Sequence, residues 1–197
     1  MNKAKGTISM LQLNIILRES DPLIWRRVLV PADHHLGHLH FVIQMAMGWT
    51  NSHLHQFKIS GIKYASPNYE ELPNNVKNEK MYKLSALLND GSSFQYDYDF
   101  GDGWRHDIVV EKVLPQGKKD ACPVCLAGEN ACPPDDCGGI DGYYELLKII
   151  KDPKHPEYEE KSVWLGEFDP AGFNIKEVNA ALKDFSKDPD ADWRVGT

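Results

Sequence analysis

His53, His55, Asp99, Asp102 and His106 are the residues best suited to acid–base or metal chemistry. Imidazole titrates near neutral pH and ligates divalent metals through either ring nitrogen, and carboxylates complete such sites. By strand parity His53 and His55 share a face with Phe57 and Ile59, and His106 lies on the aromatic face of a hairpin. If those strands line one sheet end, the imidazoles and Asp102 converge on a metal or act as general acid and base. In the competing reading each histidine is hydrogen-bonded at the core edge and Gly101-Asp102-Gly103 is simply a turn.

The second candidate is Cys122, Cys125, Cys132 and Cys137, spaced C-x2-C-x6-C-x4-C. Four thiols with Pro123, Gly128, Pro133, Pro134, Gly138 and Gly139 to turn the backbone could wrap a structural zinc ion. Unpaired thiols and disulfides are the alternatives, the latter disfavoured in a reducing cytoplasm. The spacing loosely matches a zinc knuckle, which grips single-stranded RNA with basic and aromatic side chains. This loop instead holds Glu129, Asp135 and Asp136, with no Lys, Arg or aromatic residue. Nothing places a histidine beside Cys125 to activate it as a nucleophile. His34, His35 and His38 read as a solvated helix start, and no G-x-S-x-G elbow, Walker loop, dinucleotide fingerprint or HExxH occurs.

These residues must be positioned by the elements around them. Leu11, Leu13, Ile15 and Leu17 alternate as in a half-buried strand, and residues 24–30 form its hairpin partner after Asp21-Pro22. Leu36, Leu39, Val42, Ile43, Ala46 and Met47 follow at helical spacing up to Gly48, and residues 54–59 return to period two. Residues 61–80 lack periodicity and read as an exposed loop. After a helical turn at 84–88, Phe94, Tyr96, Tyr98 and Phe100, then Trp104, His106, Ile108 and Val110, mark a hairpin around Gly101-Asp102-Gly103. A three-residue loop there sets Phe100 opposite Trp104, Asp99 opposite Arg105 as an ion pair, and Tyr98 opposite His106.

The order strand, strand, helix, strand predicts an α+β fold, with a β-grasp-like core in a mixed, largely antiparallel sheet and a helical C-terminal part packed on it. Residues 1–115 form the sheet core, 116–140 a Cys/Pro/Gly-rich connector, 141–186 the helical part of the same domain and 187–197 a frayed tail.

The chain has 197 residues and a net charge of −7, with 42% hydrophobic and 10% aromatic residues, which excludes global disorder. The charge speaks against nucleic acid as a general ligand, because such affinity comes from Lys and Arg neutralising phosphates. Residues 1–60 carry six Lys and Arg against three Asp and Glu, leaving the acidic excess to the back of the chain. An acidic partner would therefore meet the front, through Arg26, Arg27 and Lys58. No segment approaches the roughly 20 apolar residues of a membrane span, and the N-terminus lacks a small-residue cleavage site after residues 8–17, so a soluble cytoplasmic protein is expected.

The stretches IWRRVLVPAD (24–33), MGWTNSHLHQF (47–57), YDFGDGWRHDIVVEK (98–112), CLAGENACPPDDCGG (125–139) and GEFDPAGFNIKEVNAAL (166–182) resemble the plasmid pRiA4b open-reading-frame-three-like family. That family is also labelled as passenger or TnpR-like proteins of mobile elements. The resemblance runs from about residue 9 to 185. It matches Trp25, Arg26, Trp49, His53, His55, Asp99, Gly101, Asp102, Gly103, Trp104, His106, Cys125, Cys132, Pro133, Pro134, Asp136 and Gly138 to the family's signature, while Cys122 precedes its usual motif. A resolvase label would imply a serine or tyrosine recombinase, and no segment is organised that way.

The resulting expectation is a binding or accessory module of plasmids or mobile elements, with an unidentified protein or small-molecule partner and zinc as a candidate cofactor. The alternative is a metal-assisted hydrolase or nuclease using His53, His55, Asp102 and His106, in which the metal lowers the pKa of bound water.

Overall fold

The computed structural model describes residues 9–67, 73–115 and 122–191. The alternating apolar residues of Ser9–Leu17 (β1) and Trp25–Pro31 (β2) pair antiparallel, with Leu13, Ile15, Val28 and Val30 fully buried. Helix α1 (Leu36–Met47) lays Leu36, Leu39, Val42 and Ile43 on that face. Gly48 ends it in the left-handed region at φ 99°, donating its N–H to Gln44 O, as a glycine stop should.

The chain then builds β3 (His55–Ile59), β4 (Ile62–Ala65), β5 (Val76–Asn78) and a short helix α2 (Leu84–Leu87). The hairpin of β6 (Ser93–Tyr98) and β7 (Trp104–Pro115) follows, then β8 (Val124–Glu129) and helices α3 (Gly139–Ile149), α4 (Tyr158–Leu165) and α5 (Ile175–Phe185). The eight strands form one sheet in the order β5-β4-β3-β6-β7-β1-β2-β8. Its pairings are antiparallel except β4 with β5, so the fold is α+β with a largely antiparallel sheet. Tyr143, Leu182 and Phe185 of the C-terminal helices join the core on the α1 side. On the other face Arg27 forms a bidentate pair with Glu111, which also accepts from Gln12.

Three expectations need correction. Residues 61–80 are not simply a loop: β4 and β5 extend the sheet, and a 3-10 turn at Glu79–Met81 buries Glu79. The connector contains a sheet strand, because β8 pairs with β2 while Asn179 of α5 takes both backbone polar groups of Cys125, covering an otherwise open edge. The hairpin loop has five residues instead of three, so Tyr98 faces Trp104, Asp97 faces Arg105 and Tyr96 faces His106. Asp99 turns out of the strand at φ 53°, and Arg105 pairs with Glu19 instead. Residues 116–121 of the connector and 192–197 of the tail lie outside the described residues.

Candidate metal centre

The α1–β3 loop, the β6–β7 loop and the turn before α3 meet at one end of the sheet. His53 sits in the first, just ahead of β3, so it does not share the strand face that His55 occupies. Asp99 begins the second. Its left-handed backbone lets Oδ1 accept from Gly101 N–H at 2.9 Å, while its own N–H bonds Leu54 O at 2.9 Å. Asp136 comes from the third, also with positive φ (61°).

His53 Nε2 lies 3.4 Å from Asp136 Oδ1 and 3.7 Å from Asp99 Oδ2. It is buried and makes no hydrogen bond. Such a nitrogen costs stability unless something satisfies it. Metal bonds of about 2.1 Å at tetrahedral angles put ligand atoms about 3.4 Å apart. The spacing is thus long for a hydrogen bond and right for the edge of a coordination polyhedron. The three ligand atoms lie within 4.8 Å of one another, and the Asp136 side chain, 72% exposed, leaves the site open to solvent.

The motif residues around this cluster hold the turn that delivers Asp136. Trp49 Nε1–H donates to Pro133 O at 3.1 Å, Thr50 Oγ1 donates to Asp135 Oδ2 at 2.7 Å, and Gly138 N–H donates to Asp102 Oδ2 at 3.1 Å. Gly139 has φ 70°, and a Cβ there would collide with Asp102 O. Asp102 therefore fastens two loops together; it is a positioning residue. Tyr98 accepts from Ser52 N–H at 3.2 Å, and burial holds its phenol well above the ordinary range, so it stays a neutral hydroxyl.

The other two histidines of the candidate set are packed elsewhere. His55 Nε2 bonds Glu79 Oε2 at 2.9 Å, and its ring stacks on His40 with 3.5 Å between centroids. His40 donates from Nε2 to Asn51 Oδ1 and accepts at Nδ1 from the Tyr96 hydroxyl, which in turn accepts from Gln44 Nε2. Burial pushes the His40 pKa well below its ordinary value and that of His106 down to about 4, so both are neutral imidazoles. His106 donates from Nδ1 to Tyr96 O and packs edge-on against Trp49.

The cysteines do not form a ligand group among the described residues. All four are free thiols. Cys125 is buried on β8, Cys122 points its thiol at Leu182 O, and Cys132 and Cys137 flank the Asp136 turn. Burial pushes the Cys137 thiol up to about 12 and raises Cys125 and Cys132 as well, so none of the three is a ready nucleophile.

A second histidine–carboxylate group, His35, His38 and Asp190, has a different character. His35 caps α1 by accepting the His38 N–H at Nδ1, which leaves the ring proton on Nε2, facing Asp190 at 3.7 Å. His38 Nε2 bonds the same carboxylate at 3.0 Å. Here the nitrogen that faces the carboxylate is hydrogen-bonded, which makes the group a clip between α1 and the segment after α5, although His38 Nδ1 is buried without a hydrogen bond; at His53 the nitrogen facing the carboxylates has none.

Asp136 is matched to the family signature but not read as a ligand, and Glu79, the buried partner of His55, is not singled out by sequence reasoning. Asp136 lies inside the CPPDDCGG signature, which was the available signal; Glu79 has none, sitting in a stretch without periodicity.

The family described as plasmid pRiA4b ORF-3-like protein matches residues 9–177. A relative from Sinorhizobium fredii, strain NBRC 101917 / NGR234, named "Uncharacterized protein y4hQ", is 37% identical over 181 residues, covering 90% of this chain and 93% of its own. The crystal structure of a protein of unknown function, MM3350 from Methanosarcina mazei Go1, superimposes with a TM-score of 0.78 at 35% identity, covering 87% of this chain and 98% of that one.

Proposed function

The chain belongs to the plasmid pRiA4b ORF-3-like protein family, and we propose that it is a binding module organised around a divalent-cation centre held by His53, Asp99 and Asp136. The observation that carries this reading is the buried His53 Nε2, which makes no hydrogen bond yet lies within ion-pair range of two carboxylates at coordination-edge distances. One imidazole and two carboxylates neutralise a divalent charge and suit Zn²⁺, Mn²⁺ or Fe²⁺ better than the soft ions that thiolates select. The solvent side leaves coordination positions for an oxygen donor from a protein or small-molecule partner.

Binding rather than catalysis is favoured because His55 is held by Glu79 and His106 is fully buried, one ring nitrogen bonded to Tyr96 O and the other facing the core away from solvent. The one feature that favours a hydrolase is the open side of the site, where a metal-bound water would be activated. Four free thiols fit a reducing cytoplasm, and no helix among the described residues is long and apolar enough to cross a membrane.

Calorimetric titration of chelator-treated protein with Zn²⁺ and Mn²⁺ tests the centre. Binding near one equivalent, weakened more than about tenfold in His53→Ala and Asp136→Asn, is the expected result. Equal binding in wild type and both variants contradicts it. Metal-dependent turnover of an activated phosphodiester that is lost in the same variants would select the hydrolase reading.

A further inference from the structure

We infer that the groove between α3 and α4 is a docking site for a basic protein segment bearing an apolar anchor. Glu157, which caps α4, and Glu160, Lys161 and Trp164 within it recur at helical spacing on one face and line a cavity of about 510 Å³. Across it, α3 contributes Glu145, Leu146 and Ile149.

Helix α4 buries none of its residues, which is unusual for a helix held against a domain. It presents Trp164 at 49% exposure and Val163 at 84%. A half-exposed indole beside buried Leu146 and Ile149 is the kind of aromatic anchor point on which interfaces concentrate their energy. The rim decides which occupant fits. With Asp136 shared with the metal centre and Glu145 bound by Lys148 at 2.9 Å, Glu157 and Glu160 face a single groove lysine, Lys161. The excess is negative, and the indole face adds favourable contact with Arg or Lys. The groove therefore selects a cationic segment with a Leu-like or aromatic anchor and repels an acidic one. The groove adjoins the metal centre at Asp136, but Glu157, Glu160 and Trp164 ligate nothing there, so variants at these three residues let either proposal fail alone.

Fluorescence anisotropy of a short labelled peptide of alternating Leu and Arg, compared with its Leu/Gln and Leu/Glu counterparts, tests the inference on the full chain. We expect the Arg peptide to bind, the other two to bind far more weakly, and added salt to weaken the Arg peptide. In the double variant Glu157→Gln/Glu160→Gln, affinity should fall about three- to tenfold, the scale of two screened charge pairs. Trp164→Ala should weaken all three peptides. These side chains line the surface, so unchanged circular dichroism will show that the variants fold. Equal binding of the three peptides, or an Arg peptide indifferent to both variants, overturns the inference. So does a concentration-dependent dimer that Trp164→Ala dissociates, which would give the groove to a second copy of the chain.

Discussion

His53 and His55 stand two residues apart and have opposite surroundings, and that contrast carries most of the chemistry. His55 is inside β3, where strand alternation commits it to the core and Glu79 satisfies it. His53 is two residues ahead of the strand, free of that alternation, and its Nε2 lies near two carboxylates without a hydrogen bond to either. His106 is the core histidine with a measurable consequence. Its ordinary value of 6.5 falls to about 4 because burial disfavours the imidazolium, so between these values the unfolded chain binds a proton that the folded chain refuses. Its contribution is complete above pH 6.5 and declines as pH drops toward 4, by about 1.4 kcal/mol per pH unit. Urea unfolding of wild type and His106→Gln across that window checks this. The variant is less stable at pH 7 and has the shallower acid slope; identical slopes would show that His106 does not titrate this way.

At the scale of elements, the strands and α1 were legible because their apolar residues alternate or recur every three to four positions. The resemblance to a family also pointed to the right segments. What the pattern could not convey was the join between segments. The five-residue loop at 99–103 depends on a non-glycine residue, Asp99, adopting positive φ, which no periodicity announces. A two-residue shift preserved the inward faces of Tyr98 and Trp104 while moving Asp99 from Arg105 to His53. Likewise β8 was hidden by Cys, Pro and Gly content, since a short edge strand needs little hydrophobicity of its own. The turn from Cys132 to Gly139 is the element on which the site depends. Gly139→Ala puts a side chain against Asp102 O in a left-handed conformation, which costs about 2 kcal/mol or more. Thermal unfolding should fall accordingly, and metal affinity should fall with it as Asp136 is displaced. Lost stability with intact affinity would mean that the turn does not position the ligand.

At the scale of the whole molecule, the charge asymmetry has been redistributed by folding. Arg26, read from sequence as part of a basic surface, is 1% exposed; its guanidinium donates to the carbonyls of Trp25, Ala46, Glu129 and Asn130 and stacks on Phe173. Arg27 is neutralised by Glu111. The front of the chain thus spends its arginines on structure, and the acidic back keeps the open groove. The charge that opposes phosphate binding instead suits the basic partner proposed there, with the proposed metal centre at the sheet end.

The divalent-cation site is best tested by an anomalous difference map from crystals of this chain soaked in Zn²⁺ or Mn²⁺, recorded at the metal's absorption edge. The expected result is a peak bounded by His53 Nε2, Asp99 Oδ2 and Asp136 Oδ1, absent in His53→Ala. A peak at the cysteines or at His35 and His38 instead, with none at His53, would contradict it.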